Sequence, residues 1–151
     1  MRIENRISMG LFTLGLLLAT QSGLAEDAKA PLTSPSVRSY QVVFQISESD
    51  PATWNLLLNN VRNTQIGLSG YPLTLEIVAF GPGIDMMRLD SKVADRVQDA
   101  IKSGVQIKVC ENTMKSKHLG HEVMLPNLGY VPSGVVEILL RQREGYAYIH
   151  P

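Results

Sequence analysis

Gly104-Val105-Gln106-Ile107-Lys108-Val109-Cys110-Glu111-Asn112-Thr113-Met114 decides the fold of this chain. Val105 to Val109 is short, β-branched and bounded by a glycine, which reads as a buried strand. Glu111-Asn112-Thr113-Met114 then reads as a turn opening a helix that runs from about Thr113 to Leu119. A buried strand feeding a helix is the start of a βαβ crossover, so the sheet it belongs to is parallel.

The same alternation extends outward in both directions. Upstream, Val93, Val97, Ala100 and Ile101 give a helix capped at Asp90 or Ser91 and stopped at Gly104. Before it, Leu73 to Phe80 is a strand ending in the turn Gly81-Pro82-Gly83. Earlier still, Tyr40 to Ile46 is the first strand, and Asp50-Pro51 caps and starts a helix. Trp54, Leu57, Leu58 and Val61 fall on one stripe of that helix, which makes Trp54 core. Downstream, Met124 to Tyr130 is a loop with room for a brief strand. Pro132-Ser133-Gly134 introduces a helix carrying Val135, Val136, Ile138, Leu139 and Leu140, and Tyr146 to Ile149 is a last strand. Helices alternating with apolar strands predict an α/β fold with a mainly parallel sheet and helices on both faces.

The first 25 residues stand apart. Arg2 and Arg6 precede an apolar run, Met9 to Ala19, followed by small residues up to Ala25. That is the pattern of a cleavable signal peptide, and the run is short of the roughly 20 residues a spanning helix needs. Residues 26–38 are polar and proline-containing and read as a disordered leader, leaving one domain over 39–151. The expected location is periplasmic or secreted, with no membrane contact in the mature form.

Charge excludes one class of partner. The chain has 14 basic and 14 acidic residues; losing Arg2, Arg6 and Glu4 with the leader leaves 12 and 13, a net charge of −1. No lysine or arginine cluster is present, so nucleic acid is not an expected partner. Gly-x-Gly-x-x-Gly after the first strand and the P-loop pattern are both missing, which argues against dinucleotide and nucleotide folds. Without a Gly-x-Ser-x-Gly elbow, Ser47, Ser49 and Asp50 do not make a hydrolase, and Asp50 before Pro51 is a helix cap.

Cys110 is the only cysteine. An exported protein with one cysteine cannot form an internal disulfide, so the thiol is free, modified, metal-bound or paired to another molecule. In a parallel sheet the carboxyl ends of the strands share one edge, where ligands collect. That edge gathers Ser47 to Asp50, Gly81-Pro82-Gly83-Ile84 and Cys110 to Thr113. The glycines permit close backbone approach and expose N–H donors; Asn112 and Thr113 add polar groups next to the sulfur. A thiol where a strand becomes a helix is placed to ionise. The competing reading is a buried, inert cysteine. Cys110, His118 and His121 give Cys-x7-His-x2-His, which is not a standard zinc spacing; both histidines read as surface residues, and no metal is assigned. No role is assigned to Lys108.

In order, Gly81-Pro82-Gly83-Ile84, Gly104-Val105 through Cys110-Glu111-Asn112-Thr113-Met114, Tyr130-Val131-Pro132-Ser133-Gly134-Val135-Val136-Glu137 and Glu144-Gly145-Tyr146-Ala147-Tyr148-Ile149 resemble the DsrE/DsrF-like family, in its exported bacterial branch. The resemblance covers about residues 39–151. It implies a three-layer α/β/α fold with a five-stranded, mainly parallel sheet of flavodoxin-like topology, and homo-oligomers, often trimers or hexamers. It also implies that Cys110 carries sulfane sulfur as a persulfide, taken from a small sulfur compound and passed to a partner thiol. Asn112, Thr113, Gly81 and Gly83 are the expected sulfur- or ligand-binding residues. That chemistry calls for no cofactor and no second cysteine. The alternative is a non-catalytic oligomeric module that binds a ligand or partner and keeps Cys110 as a structural residue.

Overall fold

In the computed structural model, residues 39–151 are described; the expected signal peptide (1–25) and leader (26–38) lie outside them. Five strands form one sheet: β1 (Tyr40–Ile46), β2 (Leu73–Ala79), β3 (Gln106–Cys110), β4 (Gly129–Val131) and β5 (Ala147–Ile149). Between them lie α1 (Pro51–Gly67), α2 (Ala94–Lys102), α3 (Glu111–Ser116) and α4 (Gly134–Arg143). A 3-10 helix, Gly81–Met87, occupies the stretch after β2 where the sequence signals a turn. Every strand pair is parallel.

The strand order is β4-β3-β2-β1-β5. Within the doubly wound class this differs from the 2-1-3-4-5 order of a flavodoxin. The first three crossovers step the same way across the sheet. The last returns from β4 to the far side of β1. Crossovers of one hand that step in opposite directions put their helices on opposite faces. The packing agrees. Val42, Phe44 and Ile46 of β1, Leu75 and Ile77 of β2 and Ile107 and Val109 of β3 share one core with Trp54, Leu57, Val97 and Met114. On the other face Val43 and Val78 pack with Ile138 of α4, flanked by Phe80 and Tyr146. Each fully buried aliphatic side chain of the larger core contributes about 1.5–3 kcal/mol.

Local chemistry fixes the element ends. Asp50 Oδ1 accepts the Thr53 N–H at 2.9 Å, and Pro51 sets the first helical φ. Trp54 Nε1 donates to the Glu48 carbonyl at 2.7 Å, tying α1 to the end of β1. Gly83 is required for a different reason: a Cβ there would lie 2.4 Å from the Ile46 carbonyl oxygen, so the 3-10 helix sits directly on the backbone of β1.

The smaller face carries an ionic cluster. Glu76 of β2, 1 % exposed, accepts from Arg141 Nε at 3.1 and 3.2 Å. Arg141 also pairs with Glu137 and Glu144 at 2.8 Å each and lies over the Tyr146 ring. Burial raises the Glu76 pKa, with Arg141 opposing it. Among the described residues no helix is long and apolar enough to cross a membrane.

Candidate functional site

β3 and β4 are neighbours, yet β3 runs into α3 on one face and β4 runs into α4 on the other. That divergence is a topological switch point, where open α/β sheets leave a crevice beyond the carboxyl ends of their strands. Cys110 is the last residue of β3 and pairs with Val131 of β4, so it stands at that point.

The sulfur is ringed mostly by main chain. Cys110 is 5 % exposed and free. Burial alone would raise its pKa, but the nearby Thr113 hydroxyl and the backbone N–H groups of Gly134, Thr113 and Asn112 favour the thiolate and bring it below the ordinary thiol value. These groups come from both sides of the switch: Asn112 and Thr113 open α3, and Gly134 opens α4. The Pro132 carbonyl lies 4.0 Å from Sγ and also accepts the Asn112 N–H at 3.3 Å, which pins the two loops together.

Thr113 connects the sulfur to the glycine turn. Its Oγ1 accepts the Gly81 N–H at 3.0 Å, which leaves the hydroxyl proton free to turn toward the sulfur. Gly81 adopts φ +53°, a left-handed conformation that favours glycine. Asn112, Thr113 and Gly81 are thus brought together around the sulfur. Gly83 is not part of that ring; its N–H donates to the Ser47 and Phe80 carbonyls at 3.0 and 3.1 Å. The Asn112 side chain is exposed.

Gly134, beside the sulfur, is a residue that the sequence alone did not single out. The usable signal was its place directly after Pro132-Ser133 at a helix start, where backbone N–H groups have no intrahelical partners. A Cβ at Gly134 would lie 3.0 Å from Phe80 Cβ and Cδ1, so a glycine lets α4 reach the sheet here. Lys108 lies two residues before Cys110 and so shares its face of β3. A Cβ on Gly129 would approach Lys108 Nζ to 3.1 Å, which places the Lys108 side chain alongside β4.

The histidines sit elsewhere. His121 stacks on Tyr130, ring centroids 3.9 Å apart at 8°, and His118 is exposed with φ +53°. Among the described residues no group of three or more His, Cys, Asp or Glu side chains is arranged to hold a metal ion.

The chain belongs to the DsrE/DsrF-like family, whose model matches residues 41–151. It is 37 % identical to a protein of unknown function, MTH1491, from Methanobacterium thermoautotrophicum, with a TM-score of 0.71 over 74 % of this chain and 99 % of that one. Two further solved structures share the fold at lower identity. The ychN protein of E. coli is 8 % identical with a TM-score of 0.62, covering 74 % of this chain and 99 % of its own. The conserved protein of unknown function BT1422 of Bacteroides thetaiotaomicron is 12 % identical with a TM-score of 0.62, covering 74 % and 94 %. No curated protein matches the chain.

Proposed function

With that family membership as the premise, we propose that the protein handles sulfur in the periplasm, Cys110 accepting a sulfane sulfur and passing it on as a persulfide. The observation that carries this reading is a free thiol at the switch point of the sheet, at the start of α3 and paired across to the strand that leads into α4, with its pKa held below the ordinary thiol value. Donors that favour a thiolate also favour a persulfide anion, which places its charge one atom further out.

The step balances without an oxidant. With thiosulfate as donor, the Cys110 thiolate attacks the outer sulfur. A sulfur–sulfur bond forms to Cys110, the bond to the sulfonate sulfur breaks with its electron pair, and sulfite leaves. A partner thiolate then attacks the terminal sulfur and expels the Cys110 thiolate. The signal-like residues 1–25 support action after export.

The test is intact mass after incubation with thiosulfate or polysulfide. A gain of about one sulfur, roughly 32 Da, removed by a reductant and missing in Cys110→Ser, is the expected result. An alkylatable Cys110 that takes up no sulfur from either donor overturns it.

One observation favours a second reading, a binding module with a structural cysteine: the thiol is 5 % exposed. On that reading Cys110 resists alkylation in the native protein and labels only in denaturant. The persulfide reading requires native labelling.

A further inference from the structure

The two helices over the larger core face each other along stripes of equal spacing. From α1 come Leu58, Val61, Arg62 and Gln65, at i, i+3, i+4 and i+7. From α2 and the residue that ends it come Arg96, Asp99, Ala100 and Ser103, at the same intervals. A packed helix pair fills such a seam with interlocking apolar side chains. Here only Leu58, Val61 and the short Ala100 are apolar, and a cavity of about 370 Å³ stays open between the stripes. Bridges close the seam at both ends. Arg96 Nη1 donates to Asn55 Oδ1, and its Nη2 donates to Asn59 Oδ1 at 2.8 Å. At the far end Gln65 Nε2 donates to the Ser103 carbonyl and hydroxyl oxygens at 3.3 and 3.1 Å. The asparagines engage one N–H of each terminal nitrogen of Arg96, which fixes the plane of the guanidinium without neutralising it. Asp99 also lines the cavity, but Lys102 Nζ pairs with it at 3.2 Å. Among the described residues neither Arg62 nor Arg96 forms an ion pair.

We propose that the seam between α1 and α2 binds a small organic oxyanion, a carboxylate or phosphate ester on a compact apolar body. Arg62 and Arg96, one from each helix, take the acidic head, and Leu58, Val61 and Ala100 form the floor under the body. An apolar floor with a few convergent polar groups is the usual make-up of a small-molecule site. Guanidinium groups stay charged at any physiological pH, and their forked donors match carboxylate and phosphate oxygens. Arg96 is already held by Asn55 and Asn59, so less side-chain freedom is lost when an anion arrives. A bridge between the helices needs no charge of its own: the Gln65 amide makes one at the far end. The two positive charges therefore have a use beyond joining α1 to α2. The cavity lies at the lower end of the size range of ligand sites, which restricts the occupant to a small molecule. None of these residues surrounds Cys110, and the inference stands whether or not that thiol carries sulfur.

Titration of the purified protein with benzoate, phenyl phosphate and neutral benzamide, followed by amide NMR shifts, tests it. At least one of the two anions is expected to give saturable shifts in α1 and α2, with a dissociation constant below about 1 mM. The tighter of the two identifies the preferred head group, and benzamide is expected to give no saturable shift at the same concentrations. Arg62→Met removes one charge from an exposed position that joins no ion pair, so the fold does not depend on it. Arg96→Gln removes the other charge and keeps an amide to face the asparagines; circular dichroism checks both variants. Each is expected to weaken binding of the anion at least about 10-fold. Neither anion saturating below about 1 mM, benzamide binding as well as the anions, shifts that map outside the two helices, or a smaller loss in either variant overturns the proposal.

Discussion

Replacing Arg141 with methionine isolates the energetics of the ionic cluster beneath α4. Methionine keeps most of the side-chain length and removes the guanidinium. Glu76, 1 % exposed, then loses its 3.1 and 3.2 Å bonds, and Glu137 and Glu144 lose theirs. Removing one partner of a buried pair costs about 3–5 kcal/mol, because the remaining charge is left without compensation. For a domain a little over 100 residues long, each kcal/mol corresponds to about 4 °C, so the melting temperature should fall by roughly 12–20 °C.

The pH dependence identifies the cause. Glu76 already has a raised pKa in the folded protein, because burial outweighs Arg141. A group with a raised folded pKa contributes stability that is fully present below its unfolded value, about 4.3, and is lost as pH rises through the folded value. Without Arg141 the folded value climbs further and that loss grows. The gap between wild type and Arg141→Met should therefore be smallest near pH 4 and widen toward neutrality. Paired replacement, Glu76→Leu with Arg141→Met, should recover much of the loss at pH 7. Calorimetry or thermal denaturation followed by circular dichroism from pH 4 to 8 measures all three proteins. A loss below about 1 kcal/mol, or a gap that does not change with pH, would refute the account of Glu76 as a desolvated carboxylate held by one arginine.

Thr113→Val removes the side-chain donor to Cys110 at nearly constant volume; the midpoint of a pH profile of iodoacetamide labelling should move up toward that of an ordinary thiol, and Thr113→Ser should leave it near the wild-type position. Gly83→Ala places a Cβ against the Ile46 carbonyl, a backbone atom that cannot turn aside, and should cost at least about 3 kcal/mol by chemical denaturation. Gly67→Ala is its control: nothing lies within 4 Å of the added methyl group, and the last turn of α1 should gain about 0.4–1 kcal/mol in the same assay. Gly134→Ala should slow native labelling of Cys110, because the methyl group at 3.0 Å from Phe80 displaces the N–H that opens α4 from the sulfur.

Elements with strong local periodicity were legible from the residues. Tyr40 to Ile46 has the observed bounds of β1, and the stripe Trp54, Leu57, Leu58 and Val61 is the buried face of α1. Gly81-Pro82-Gly83 announces a break, but the 3-10 helix that follows depends on Ile84, Met86 and Met87 finding places in a core built from distant segments. Strand order was out of reach for the same reason: nothing local to Gly129–Val131 says that it pairs with β3, or that the chain then crosses to the far side of β1. The thiol's position at a strand end followed from the fold class, and Asn112 and Thr113 follow it in the chain. Gly134 reaches it only through the pairing of Cys110 with Val131. The apolar residues of α4 signal a helix face without indicating what that face meets. Only the burial of Glu76 shows that the inner side is taken by charge.

Three of the four groups that acidify Cys110 are peptide amides. Side-chain replacement cannot delete them; only a bend in the path of the chain can. The reactivity of this thiol is therefore encoded in shape more than in composition, with Thr113 as the one dial that a point substitution can turn. A selection for a hotter or cooler sulfur should return changes in the two loops that carry those amides, Cys110 to Thr113 and Pro132 to Gly134, and few anywhere else.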